Sequence, residues 1–201
     1  MKALHILSSL LLIGSGLAMG VEPSSPATSP NTTSNRLSEG EGSMADIPAG
    51  SYVPLYTTDK TPRKVAAFRI DKISVTKGQY LAFVKNHPRW FRSKVTRLFA
   101  DASYLKDWKS DTDPGSDLDS PVTNISWFAA RAYANDLGKR LPTVDEWEYI
   151  ARADATKADA TADRTYTEVI LKWDSERPKG ALALPKSFPP NVYGVRALHG
   201  L

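Results

Sequence analysis

Apolar residues fall in short, separated groups along this chain, and their spacing sets the expected elements. Ile47-Pro48-Ala49-Gly50-Ser51-Tyr52-Val53-Pro54 reads as a turn feeding a strand. Val65 to Ile70 reads as a second strand, and Ile73 to Val75 as a third after a turn at Asp71-Lys72. Helical spacing then appears at Tyr80, Phe83, Val84 and His87, which share one face and stop at Pro88, a residue that disfavours helix before it. Trp127, Ala130, Ala134 and Leu137 predict the buried stripe of a second helix, closed by Gly138. Val144, Trp147, Ile150 and Ala151 predict that of a third, from about Val144 to Ala153. The near-repeat from Ala153 to Arg164 has little bulk and reads as a surface loop, followed by a short helix over Glu168 to Trp173.

The helix starts carry their own chemistry. Thr143 and Glu146 have the spacing of a capping box, and so do Thr76 and Gln79; Ser126 is placed to cap the helix between them. Asp145 and Glu146 put negative charge on the positive end of the third helix. Pro142 is placed to staple onto Trp147. Arg140 lies in the short joint between the second and third helices, where Glu146 or Glu148 can pair with it.

The start of the chain has a different pattern. Lys2 precedes an apolar run from Ile6 to Leu17, and Ala18-Met19-Gly20 is a small-x-small site. This is the layout of a signal peptide over residues 1–20, with cleavage expected before Val21 and a secreted or periplasmic destination. The run is short for a membrane span of about 20 residues, so no membrane association is expected after cleavage. Residues 21–43, rich in Ser, Pro and Thr, read as a flexible linker to a domain over residues 44–201.

Composition narrows the chemistry. The formal charge is +4 and Lys and Arg are scattered, so no nucleic-acid partner is expected. The aromatic and basic residues between Arg89 and Trp108 could stack bases, but read more simply as loop residues packed into a core. Asp111 to Asp119 is acidic, yet Ser116 and Val122 stand where a helix-loop-helix calcium site needs Gly and Glu; a solvated turn is the default. Cys is absent, which removes thiolate ligands and thiol nucleophiles from these residues. His87 reads as a helix-end packing residue rather than a ligand.

Three segments together resemble one family. Arg140-Leu141-Pro142-Thr143-Val144-Asp145-Glu146-Trp147-Glu148-Tyr149, Ser120-Pro121-Val122-Thr123-Asn124-Ile125-Ser126-Trp127 and Asn191-Val192-Tyr193-Gly194-Val195-Arg196-Ala197-Leu198-His199-Gly200 are similar to signature stretches of the formylglycine-generating, sulfatase-modifying-factor family. Ala197 stands where the family pattern has an acid, and Ala151-Arg152-Ala153-Asp154 lacks the glycines of the family's Ala-Arg-Gly-Gly loop. The resemblance implies an α+β, compact C-type-lectin-like domain with little regular secondary structure. It also implies a protein or peptide substrate, and in the family copper and calcium.

Family members continue past the His-Gly step into a region that carries a copper-binding cysteine pair, so the domain is expected to be incomplete at its C-terminus, with exposed apolar surface that promotes association. Copper(I) selects soft thiolates, which His87 and His199 cannot supply. No catalytic, cofactor-binding or metal residue is therefore assigned, and no cofactor is expected in this chain. Three readings stay open: an exported family member inactive alone in oxidising cysteine to formylglycine, a periplasmic member of non-haem iron or siderophore-maturation type, and a peptide- or glycan-binding module.

Overall fold

The computed structural model describes residues 13–14, 44–54, 57–175 and 184–199; the predicted linker and much of the predicted signal peptide lie outside them. The fold mixes helices with two small antiparallel sheets. β1 (Ile13–Gly14), β2 (Met44–Ile47), β5 (Phe68–Asp71) and β6 (Lys139–Arg140) form one sheet in the order β2-β5-β1-β6, while β3 (Gly50–Tyr52) and β4 (Arg63–Val65) form the other. The helices are α1 (Lys77–Asn86), α2 (Trp127–Asp136), α3 (Val144–Ala151) and α4 (Arg164–Ser175).

The stretch from Val65 to Ile70 is two strands in different sheets rather than one. Val65, Phe68 and Ile70 are all buried, but Val65 and Phe68 are three apart, which a single pleated strand with its period of two cannot bury on one side. The chain breaks at the exposed Ala66-Ala67 pair and changes sheet. Ile73 to Val75 is also not a strand. It contributes one isolated bridge at Thr76–Pro121 and a Val122 N–H to Val75 carbonyl bond of 2.9 Å.

Both expected capping boxes are formed, at Thr76–Gln79 on α1 and Thr143–Glu146 on α3, and the Ser126 hydroxyl caps α2 through the Ala129 N–H. Gly138 follows α2 at φ +64°, a left-handed conformation that glycine adopts without steric cost. The buried stripes of α2 and α3 are rotated from their expected positions. On α2 the inward residues are Ala129, Ala130, Tyr133 and Ala134, while Trp127 and Leu137 are exposed. Small alanines let α2 approach the aromatic residues of α1, and Tyr133 then meets Phe83 edge-on at 5.3 Å between ring centres. On α3, Val144 is exposed and Glu146, Tyr149, Ile150 and Ala151 are buried; the capping box turns Glu146 inward and carries the stripe with it. The helix ends at Ala151, two residues short of expectation, and α4 extends past both ends of its expected range.

Two apolar clusters hold the fold. One joins α1, α2 and the irregular stretch between them, where Trp90, Tyr104 and Trp108 are buried as packing residues. Tyr104 donates to the Trp90 carbonyl at 3.0 Å and shares a 2.9 Å bond with the Tyr80 hydroxyl. The other lies between the strands and α3, built on Ile47, Ile70, Tyr149, Ile150 and Val195. Gly50 is needed at its edge: a Cβ there would stand 2.3 Å from the Tyr149 hydroxyl oxygen.

Candidate functional site

Two of the three resemblance segments, those from Arg140 and from Asn191, meet around α3, while Val122 of the third packs with α1 and α2. Arg140 on β6 forms a two-pronged pair with Glu146, at 2.8 and 2.6 Å, and Glu146 also accepts the Thr143 N–H at 2.8 Å. Burial pushes the Glu146 carboxyl up, but the Arg140 guanidinium and the Thr143 contacts outweigh it and hold it below its ordinary value. One residue earlier, Asp145 accepts from the Tyr52 hydroxyl at 2.6 Å and from Arg63 at 2.8 Å. This ties the second sheet to the start of α3. Glu148, the other expected partner of Arg140, instead has a buried oxygen without a hydrogen-bond partner. Arg152 lies over the Tyr149 ring at 4.8 Å and donates to the Ser51 carbonyl at 3.0 Å. The Ala151 to Asp154 turn needs no glycine, since none of its residues takes a left-handed conformation.

Beyond α3 the loop from Ala153 to Arg164 is a run of Asp-x-Thr turns. Asp154, Asp159 and Asp163 each accept the N–H two residues on, from Thr156, Thr161 and Thr165. That is the physical content of the near-repeat, because an Asp side chain closing on the N–H two residues later makes an Asx turn. The third resemblance segment then folds back over this loop. The Asn191 side-chain oxygen accepts the Tyr193 and Val195 N–H groups, both at 3.0 Å, and the Val192 N–H donates to the Asp154 carbonyl at 2.7 Å.

Between this segment, α4 and the loop lies a cavity of about 310 Å³, with mostly apolar walls that include Ile170, Phe188, Pro190 and Leu198. Its polar lining is Tyr166, His199, Asn191 and Asp154, and the Asp154 carboxylate is turned onto the Thr156 and Lys157 N–H groups. The Tyr166 hydroxyl is 2.7 Å from the Ala151 carbonyl, 3.1 Å from that of Ala153 and 2.8 Å from His199 Nε2. A phenol has one proton. With that proton on the carbonyls, His199 is assigned the Nε2–H form and donates to Tyr166. Burial lowers the His199 pKa against the opposing Ala151 carbonyl, which favours the uncharged ring. Burial also pushes the Tyr166 hydroxyl up to about 12. Trp147 meets His199 edge-on at 6.3 Å. Both protons of the Tyr166–His199 pair are engaged, so what the hollow offers an occupant is mainly apolar wall, which suits an uncharged side chain better than an ion.

The remaining sequence candidates lie apart from this cavity. His87 ends α1, packs on Phe83 at 4.9 Å and bonds Asp136 of α2 at 2.7 Å. The acidic loop spends its carboxylates locally: Asp111 takes the Ser93 N–H, Asp113 the Gly115 N–H and Asp117 the Ser120 hydroxyl. The residues present do not fit the family's copper, because a thiolate-selecting ion finds no Cys among the 201 residues. They do not fit a histidine-based iron site either, since no cluster of three His, Asp or Glu side chains forms among the described residues. Tyr166 was not among the sequence candidates. Its signal was the spacing of Tyr166, Val169 and Ile170, one helical face that begins before the expected helix.

Comparison with known proteins agrees with this assembly. The domain described as sulfatase-modifying factor enzyme 1-like matches residues 29–200. The formylglycine-generating enzyme of Streptomyces coelicolor is 34% identical over 169 residues, covering 67% of this chain and 52% of that protein. The inactive C-alpha-formylglycine-generating enzyme 2 of Bos taurus is 34% identical over 107 residues, covering 46% of this chain and 36% of that protein. The hercynine oxygenase of Mycolicibacterium smegmatis is 30% identical over 169 residues, covering 71% and 37%. The chain thus spans about half or less of the length of these relatives. With the family pattern matched over residues 29–200, the chain belongs to the sulfatase-modifying-factor, or formylglycine-generating enzyme, family.

Proposed function

We propose that these 201 residues form an exported, peptide-binding domain of the family that does not oxidise cysteine on its own. The reading takes the domain as a C-type-lectin-like scaffold, secreted or periplasmic, that holds an uncharged side chain of a protein or peptide partner against Tyr166 and His199. The observation that carries it is the cavity: a largely apolar hollow beside a hydroxyl–imidazole pair, in 201 residues without the cysteine thiolate that the copper chemistry requires. A relative whose name includes "inactive" supports a non-oxidising role, and the apolar run before Ala18-Met19-Gly20 supports export.

Trp147, beside His199, provides the readout. Purified protein supplied with copper(I) and a cysteine-containing peptide is expected to yield no aldehyde by mass spectrometry. The same peptide series is expected to change Trp147 fluorescence saturably, and Ile170→Asp in the cavity wall is expected to weaken that binding by about tenfold or more. Aldehyde formation would overturn the non-oxidising reading. Absence of saturable binding across uncharged peptides would overturn the peptide reading.

A further inference from the structure

α2 turns its alanine side inward and leaves Trp127 and Phe128 at the surface. Across from them, the irregular stretch after α1 leaves Leu98 and Phe99 exposed. The rings make one continuous row. Trp127 meets Phe128 at 5.3 Å between ring centres, Phe128 meets Phe99 at 5.3 Å, and Phe99 meets the buried Trp90 at 6.3 Å. A cation stands at each end. The Arg131 guanidinium lies 5.3 Å from the centre of the Trp127 ring, and that of Arg89 lies 5.4 Å from the centre of Trp90. A ring face attracts a cation electrostatically. Arg131 is one turn along from Trp127, so the helix itself sets that contact.

The charge around this row has one sign. From Pro88 to Ala100 the chain carries Arg89, Arg92, Lys94 and Arg97 and no acid, and these cations are exposed. The first turn of α2 has no acid either. Among the described residues no carboxylate pairs with Arg89, Lys94, Arg97 or Arg131. The next acids along the chain are occupied: Asp101 accepts the Ser103 N–H, Asp107 the Asn124 side-chain amide and Asp111 the Ser93 N–H. Arg92, Arg97 and the Ser103-bound Asp101 line a hollow of about 180 Å³ that reaches Ala100, next to Phe99.

We propose that this face docks on an anionic lipid bilayer, with Leu98, Phe99, Trp127 and Phe128 set into the headgroup boundary and the neighbouring arginines on lipid phosphates. Protruding apolar groups bordered by cations bind such a surface in two ways at once, by apolar burial and by attraction to anionic lipid. Trp is at home at the headgroup level. A nucleic-acid strand needs open ring faces for its successive bases. These rings stand at 67°, 74° and 82° to one another, and Arg131 covers a face of Trp127. A second copy presenting the same face would set cations against cations across the contact. The expectation of no membrane association concerns the apolar run at the start of the chain, whereas this surface is assembled only by folding. It is separate from the cavity at His199 and does not depend on the peptide reading above.

The test uses the full 201-residue chain and vesicles of phosphatidylcholine, alone or in equal parts with phosphatidylglycerol. Binding is expected to be about tenfold or more tighter to the anionic vesicles and to weaken as salt rises. The double variant Arg89→Glu, Arg131→Glu is expected to lose most of that preference. The uncharged run from Ile6 to Leu17 is common to both proteins and cannot produce the difference. A nitroxide-labelled lipid is expected to quench part of the tryptophan emission. Trp127→Phe, which keeps the apolar bulk, is expected to lose that part and still bind. Equal binding to the two kinds of vesicle, an unchanged preference in the charge variant, or quenching that survives Trp127→Phe would each overturn the proposal. So would binding of poly-glutamate or an oligonucleotide by a chain that leaves the anionic vesicles unbound. If the charge variant melts below the wild type, the quenching measurement decides.

Discussion

Ala197 is the residue whose backbone and side chain disagree most simply. It sits at φ +52°, in a left-handed conformation that costs an L-residue with a Cβ roughly 1–2 kcal/mol. The family pattern has an acid at this position, and Asp and Asn tolerate that conformation better than Ala. Ala197→Gly and Ala197→Asn are each expected to raise unfolding stability by about 1 kcal/mol, read by thermal or urea unfolding; equal or lower stability in both would show that the strain is absent. The departure from the family pattern was visible in the sequence, but its consequence was not, because nothing local to Leu198 and His199 announces a left-handed turn. The same holds for His87. Its place at the end of α1 was legible from Pro88, whereas its bond to Asp136 joins residues 49 apart in the chain and belongs to tertiary packing.

Among the elements, α3 was the most legible because both ends of its capping box lie within four residues. Arg140 was within reach of the same local reasoning, and the structure chooses Glu146 over Glu148. Arg140→Ala leaves a largely buried carboxylate without its cation, and is expected to cost about 1–3 kcal/mol at pH 7. The pH dependence follows from the direction of the shifts. Glu146 is lowered as described, and Asp145 is lowered by the Tyr52 hydroxyl and then by Arg63. A carboxyl whose native pKa is lowered binds fewer protons folded than unfolded. Its contribution is full above the unfolded value of about 4 and is lost as pH falls through the native one. Melting temperature is therefore expected to drop below about pH 4, with a shallower drop in Arg140→Ala; parallel curves for the two proteins would count against the pair. The face of each helix was harder to read than its start. An apolar stripe predicts a buried side only when bulk decides, and on α2 the small side of the helix faces the aromatic cluster while Trp127 stays outside.

At the scale of the whole molecule, that outward Trp127 is part of a surface group. Trp127 and Phe128 meet edge-on at 5.3 Å, Phe128 meets Phe99 at the same distance, and Leu98 beside them is 78% exposed. Contiguous exposed apolar surface favours association. Sedimentation is expected to show concentration-dependent self-association that the double variant Trp127→Ser, Phe128→Ser reduces; identical sedimentation of the two proteins would remove this surface as the cause. The overall mixture of helices and small sheets was legible from spacing alone, but the sheet order was not, because β1 and β6 are two-residue strands whose partners lie far along the chain. The loop after α3 carries a consequence for the chain's history. Each of its Asp-x-Thr turns closes on an amide only two residues away. Units closed so locally can be gained or lost with little disturbance to the elements on either side, so length differences among relatives are expected to gather here.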